Sequence, residues 1–408
     1  MTTRIPELVL VEHEFEVPLR HSVPGGTQIT IFAREVAAPD GLDRPFLLFL
    51  QGGPGFEAER PTGTSSPSWL ERALKDFRVL MLDQRGTGRS TPVGSLDAMS
   101  PEQQTDYLTC FRADSIVMDA ELIRKTLGVE RWSLLGQSFG GFCALRYLSS
   151  APQGLREALF CGGLAPIAEH PDRVYEATYL QVIERCERYY ERYPEDLERV
   201  RTLHEWMKSS EVRLPGGDRL TTNMFRQLGS MLGIDDGAEQ LHYILEMPPG
   251  SPAFLHEVEA GLPPFVRNPL YAIVHEACYA DGVATEWSAG RTKPAVFDER
   301  PELFTGEHVF PWMFDDYSGL RPLREAAHLL AAHKWPRLYD EDRLARCGVH
   351  AAAVIYADDM YVARSFSERT AKAMPKMRVW LTNEYEHNGL RADGGRILDR
   401  LLALVRGD

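Results

Sequence analysis

The chain has 408 residues, 44% hydrophobic and 25% charged, with 45 basic against 59 acidic side chains and a net charge of −14. That length and balance exclude intrinsic disorder, a collagen-like repeat and a small cysteine-stapled scaffold, and leave room for a large apolar core. An acidic surface repels phosphate backbones, so no nucleic-acid partner is expected.

In chain order, Leu8 to Val17 and Gln28 to Ala33 alternate apolar and polar residues around the turn residues His21 to Gly26, which predicts an antiparallel hairpin. The apolar stretch Leu8 to Val11 runs straight into Glu12, His13 and Glu14, unlike a secretory signal. Pro45 to Leu50 is a continuous apolar run stopped by Gly52-Gly53-Pro54-Gly55. Arg78 to Leu82 ends at Asp83, Trp132 to Leu135 at Gly136, and Ala158 to Cys161 at Gly162-Gly163. His350 to Tyr356 and Met377 to Leu381 repeat the pattern. Runs apolar on both faces and stopped by glycine fit buried parallel strands. Asp114 to Leu127, Phe139 to Leu148 and Ile397 to Val405 have helical periodicity, so the pattern predicts an α/β fold with helices on both faces of a sheet. Residues 165–325 break the alternation. A long helical stretch from Val174 to Tyr190 is followed by Pro- and Gly-containing loops and by aromatics at Tyr271, Tyr279, Trp287, Phe304, Phe310, Trp312 and Phe314. This predicts a largely helical insertion between two strands. No apolar run reaches the roughly 20 residues of a spanning helix, so no membrane association is expected. The six cysteines are scattered, with no C-x-x-C pair. Dispersed thiols without an export signal make the cytoplasm the expected location.

The sharpest chemical signal is Gly136-Gln137-Ser138-Phe139-Gly140, a G-x-S-x-G placed between a predicted strand and a predicted helix. The turn at such an elbow is tight and needs small residues two before and two after the serine, which is then lifted above the sheet edge. A serine hydroxyl is a weak nucleophile and needs a base. In this arrangement the order along the chain is Ser, then Asp or Glu, then His. His387 lies in a loop between the last predicted strand and the last helix, where the base is expected. The acid should follow the strand ending at Tyr356, where Asp359 is favoured and Asp358 is the alternative. Its role would be to hold the imidazole tautomer and stabilise the imidazolium. Two backbone N–H groups must face the carbonyl oxygen as it gains charge. Phe139 would give one, and the loop Gln51-Gly52-Gly53-Pro54-Gly55 the other, assigned to Gly53 with Gly52 as the other candidate. In Asp83-Gln84-Arg85-Gly86-Thr87-Gly88-Arg89-Ser90, Asp83 and Arg85 are expected to brace neighbouring loops, because a triad acid at Asp83 would break the chain order.

Together these three motifs resemble those of the prolyl aminopeptidases, or proline iminopeptidases, of the larger bacterial type. The resemblance spans nearly the whole chain. It implies an α/β-hydrolase fold with a catalytic domain over 1–164 and 326–408 and a helical cap domain over 165–325. It further implies a serine exopeptidase that releases N-terminal proline from small peptides without a metal or organic cofactor. Many members of that family carry His where this chain has Gln51, but the loop glycines would supply the N–H donor. The family's cap supplies glutamates for the free amino end of the substrate, and Glu276 and Glu307 stand at similar positions, with Glu286 in reserve. An N-terminal proline carries a secondary ammonium, which a partly dehydrated carboxylate pair holds by charge-assisted hydrogen bonds. An esterase or amidase would share the triad and differ in the pocket. A non-catalytic binding protein on the same fold would have no need of all three triad groups.

Overall fold

The computed structural model describes residues 2–407. Among the described residues nine strands form one mixed sheet: β1 (Thr2–Ile5), β2 (Leu8–Pro18), β3 (Gln28–Ala37), β4 (Phe46–Leu50), β5 (Arg78–Leu82), β6 (Trp132–Gln137), β7 (Leu155–Cys161), β8 (His350–Tyr356) and β9 (Met377–Thr382). Their order across the sheet is β1-β2-β3-β5-β4-β6-β7-β8-β9. The pairs β1–β2, β2–β3 and β3–β5 are antiparallel, and every pair from β5 through β9 is parallel. The predicted hairpin is therefore present, with Val17 opposite Ile29, and the short β1 adds a strand that the sequence pattern did not suggest.

Strand β4 shows why an unbroken apolar run is needed in the centre. All five residues are buried. Leu48 and Leu50 enter one apolar cluster, with Ile116, Ala120 and Leu145. Leu47 and Phe49 enter the other, with Trp69, Leu70 and Leu401. Alternate side chains of a strand point to opposite faces, so a strand covered on both sides has no polar position. The helices Ala113–Thr126 and Phe139–Ser150 contribute to the first cluster, and Leu70–Leu74 and Gly394–Arg406 to the second. One expectation is corrected at the edge. β9 pairs only with β8, and its Arg378, Val379 and Leu381 are exposed, so it is not buried on both faces.

Among the described residues no strand lies between β7 and β8, and helices fill that interval. The largest are Pro171–Arg192, Pro194–Ser209, Gly237–Glu246 and Pro252–Gly261. Helices continue past 325, with Arg324–Ala332 and Glu341–Ala345 before β8 begins. The apolar cluster on one sheet face runs without a break into this helical layer through Tyr175, Tyr179, Leu228 and Phe304. A helix at Pro101–Leu108 also escaped the periodicity reading. Its signal was a cap rather than a stripe, with Ser100 and Gln103 forming a capping box and Pro101 in the first turn. All six cysteines are buried and unpaired. No helix among the described residues is long and apolar enough to cross a membrane.

The strand order reverses at β4, because the chain moves from β4 to β5 on one side and then to β6 on the other. In an open α/β sheet such a switch point leaves a crevice beyond the carboxyl ends of the strands. The loop after β4 and the turn after β6 meet there.

Candidate active site

Ser138 sits between β6 and the helix Phe139–Ser150 with φ 51° and ψ −125°, a backbone region that side-chain-bearing residues avoid. Such a conformation costs about 1–3 kcal/mol and persists only when the surroundings over-determine it. Here they do. The Ser138 N–H donates to the Cys161 carbonyl at 2.9 Å, and Gly141 N–H donates back to the Ser138 carbonyl at 2.7 Å. The helix start is pressed against the sheet so closely that a Cβ on Gly140 would lie 1.9 Å from the Leu50 carbonyl oxygen.

The His387 Nε2 lies 2.9 Å from Ser138 Oγ, and His387 Nδ1 lies 2.7 Å from Asp359 Oδ2. The other Asp359 oxygen accepts the backbone N–H groups of Tyr361 at 2.8 Å and Val362 at 2.9 Å. Asp359 is buried, whereas Asp358 turns outward to Arg188 at 3.2 Å. The two aspartates that the sequence left open are thus separated by geometry, and only Asp359 faces the imidazole. Burial by itself lowers the His387 basicity. The charge and hydrogen bond of Asp359, with Glu307 adding to them, more than reverse this, and the imidazole titrates above its ordinary value. The Tyr361 ring packs edge-on against His387 with centroids 4.8 Å apart.

These groups open into a cavity of about 450 Å³ whose walls include Gly52, Gly53, Ser138, Tyr271, Glu307 and His387. Gly53 has φ +122°, available at low cost only to glycine, and a Cβ on Gly52 would come within 3.1 Å of the Ser138 Cβ. The loop is held from below by Gln84 Nε2, which donates to the Gln51 carbonyl at 2.8 Å. From the helical layer, Asn268 Nδ2 donates to the Gly55 carbonyl at 2.9 Å, and Arg267 pairs with Glu57. Glu307 lies in the same cavity, partly buried, accepting the Tyr271 hydroxyl and 3.5 Å from His275 Nε2. Burial works to raise its pKa. Hydrogen bonding and charge interaction with His275, then the Tyr271 hydroxyl, outweigh it, so the carboxyl titrates below its usual range and is ionised at neutral pH.

The alpha/beta hydrolase fold family matches residues 45–214. The chain is 48% identical to the proline iminopeptidase of Aeromonas sobria, covering 97% of this chain and 96% of that one. The chain belongs to the proline iminopeptidase family. A second family member, proline iminopeptidase aneH of Aspergillus aculeatus, is 34% identical with 96% and 93% covered. The shorter proline iminopeptidase of Neisseria meningitidis matches over 133 residues only, 32% of this chain, at 31% identity.

In this chain, Glu276 does not stand where the sequence placed it. It is buried away from the cavity, and its carboxylate accepts the Ala289 N–H at 2.8 Å at the start of the short helix Ser288–Arg291. Burial raises its pKa, only partly offset by the N–H groups it accepts. The physical reason for the displacement is local. The segment Ala272–Cys278 winds as helical turns, so Glu276 and His275 leave it in different directions, and His275 takes the side facing Glu307. Glu286 is exposed and outside the cavity. Asp83 is buried and accepts the N–H groups of Ala58 at 3.2 Å and Arg89 at 2.9 Å, with its pKa raised by burial. Arg85 is fully buried, bound to both oxygens of Asp119 at 2.6 and 2.7 Å and to the carbonyls of Pro18, Leu19 and Cys110. Both therefore brace loops. Sequence reasoning missed the roles of Gln84, Tyr271, His275 and Tyr361. Tyr361 had a faint signal, two residues after the acid. The others had none beyond membership of a motif or an aromatic-rich stretch.

Proposed function

We propose that this chain is a serine exopeptidase that releases the N-terminal proline of small peptides. The observation that carries the reading is a nucleophile line, Ser138–His387–Asp359, opening into one cavity with an ionised carboxylate, Glu307. Ser138 Oγ attacks the proline carbonyl while His387 Nε2 takes its proton. Asp359 holds the proton on Nδ1 and stabilises the imidazolium. The N–H groups of Phe139 and Gly53 stabilise the tetrahedral oxyanion, each such donor contributing about 3–4 kcal/mol to the transition state. His387 then protonates the leaving amine, and water, activated by the same base, clears the prolyl-enzyme. Glu307 holds the secondary ammonium of the substrate. Residues 165–325 serve as the cap that limits the cavity beyond the first residue.

A panel of amino-acid amides with free amino ends, assayed beside short acyl esters and with Ser138→Ala as control, tests this. The proline amide should be the preferred substrate, and Ser138→Ala should lose both its turnover and its labelling by a fluorophosphonate probe. Preference for acyl esters over amino-terminal amides would make the chain an esterase on this scaffold. Turnover retained by Ser138→Ala would remove the mechanism.

A further inference from the structure

The two loops that carry the acid and the base leave the sheet at the ends of β8 and β9. The Ala357 N–H donating to the Thr382 carbonyl at 2.8 Å continues the pairing of these strands just beyond the end of β8. Past it no backbone hydrogen bond joins the two loops among the described residues, yet Asp359 and His387 stand 2.7 Å apart. One residue of the helical layer spans the gap. Arg185, on the helix Pro171–Arg192, has a side chain only 13% exposed. Its Nη1 donates to Glu386 Oε1 at 2.8 Å and its Nη2 to the other Glu386 oxygen. The same Nη2 donates to the Asp358 carbonyl at 2.7 Å. Asp358 precedes the acid and Glu386 precedes the base, so one guanidinium joins the two loops at the residues next to the triad.

The same layer grips the base loop at neighbouring points. The His387 N–H donates to the Gly233 carbonyl at 3.2 Å. The Glu386 N–H donates to Asp235 Oδ1 at 2.8 Å, and the Asp235 N–H donates to Asn388 Oδ1 at 3.1 Å. On the acid side, the Tyr361 hydroxyl donates to the Ser230 carbonyl, and Arg188 pairs with the Asp358 carboxylate at 3.2 Å.

We propose that Arg185 is a positioning residue of the catalytic site, setting the spacing of Asp359 and His387 from the helical layer and so coupling the seating of that layer to the competence of the triad. The proposal rests on the triad reading given above. Its chemistry is that of a planar fork, which reaches a carboxylate and a carbonyl at once. A lysine supplies one point charge and cannot hold both partners in fixed directions. A misplacement of about 1 Å between reacting groups costs on the order of 10²-fold in rate, so a small relaxation of either loop is enough to register.

The test uses the full chain with Arg185→Met, Arg185→Lys and Glu386→Gln. The readouts are kcat and KM for a free proline amide and for an N-blocked proline ester, the rate of fluorophosphonate labelling of Ser138, and Tm. In Arg185→Met, kcat should fall roughly 10- to 100-fold on both substrates, with labelling slowed in parallel and KM little changed. Arg185→Lys should lie between Arg185→Met and wild type, and added guanidinium should restore part of the rate to Arg185→Met. Adding Glu386→Gln to Arg185→Met should cost little more, because the shared contact is already gone. A folded Arg185→Met with wild-type kcat and labelling, beside an inactive Ser138→Ala, overturns the proposal and leaves the triad reading standing. A Ser138→Ala that still turns over sinks the triad reading instead. If Arg185→Met does not fold, Glu386→Gln decides, since it keeps the side-chain shape but removes the charge and replaces one of the two acceptor oxygens facing the guanidinium with an NH₂ donor. Wild-type kcat in that variant overturns the proposal.

Discussion

Replacing Asp359 by Asn tests the proposed triad acid by changing one oxygen to an NH₂ group. Asp359 Oδ1 accepts two backbone N–H groups, at 2.8 and 2.9 Å, and Oδ2 faces His387 Nδ1 at 2.7 Å. An amide has one acceptor and one donor end. Its oxygen must take the Oδ1 position, because both partners there are donors. Its NH₂ then faces Nδ1, which must become an acceptor, and the imidazole proton moves to Nε2. In that tautomer Nε2 cannot take the Ser138 proton across their 2.9 Å contact. Flipping the amide restores the tautomer but sets NH₂ against two buried N–H donors. At about 1–3 kcal/mol for each unsatisfied group the flip costs about 2–6 kcal/mol, or roughly 30-fold to a few times 10⁴-fold in kcat. The upper end is close to the roughly 10⁴-fold loss known for this substitution in a serine triad. The assay is steady-state release of a chromophore from a proline amide, with Tm measured alongside. Asp359→Asn should keep its fold and lose at least about 30-fold in kcat. A folded variant within about tenfold of wild type would falsify the assignment of Asp359 as the group that fixes the tautomer.

Glu307→Gln should raise KM for free-amine substrates much more than for N-blocked esters, by about 10- to 100-fold if a partly buried charged hydrogen bond of 1.5–3 kcal/mol is lost; equal effects on both substrates would remove that assignment. The pH dependence of kcat/KM should show an acid limb centred above the ordinary histidine value of about 6.5. The sign follows from His387 acting as a neutral base: its raised pKa means activity is lost as pH falls through that higher value, and the limb should move to lower pH in Asp359→Asn and Glu307→Gln. A limb at or below the ordinary value in the wild type would contradict the ion pairing seen here. Gly140→Ala would drive a Cβ to 1.9 Å from the Leu50 carbonyl oxygen, a backbone atom that cannot step aside, so denaturant unfolding should show a loss near the upper end of the about 1–3 kcal/mol typical of overpacking.

Much of the fold and part of the site were legible in the chain itself. Runs such as Phe46–Leu50 and Trp132–Gln137 have no polar position because both faces of the sheet are covered, and that requirement is written residue by residue. The elbow around Ser138 was legible for the same reason: the glycines it needs are neighbours in sequence, and the steric demand they meet is local. His387 could be placed by its loop between a strand and the last helix. What stayed hidden depended on contacts between distant segments. Asp358 and Asp359 are adjacent and chemically identical, and only the direction of the loop sends one to the imidazole and the other to Arg188. Glu276 was a candidate beside Glu307 in the chain, yet a turn of helix aims it at the Ala289 N–H and away from the cavity. β9 matched the pattern of the central strands but lies at an edge, because strand order is set by packing and not by any single strand's composition. Arg185 reads as one more charge on a polar helix until folding brings Asp358 and Glu386 beneath it, 173 and 201 residues further along the chain. Short-range sterics and burial periodicity are properties of consecutive residues. The direction of a side chain, and the partner it meets, exist only once the chain has closed on itself.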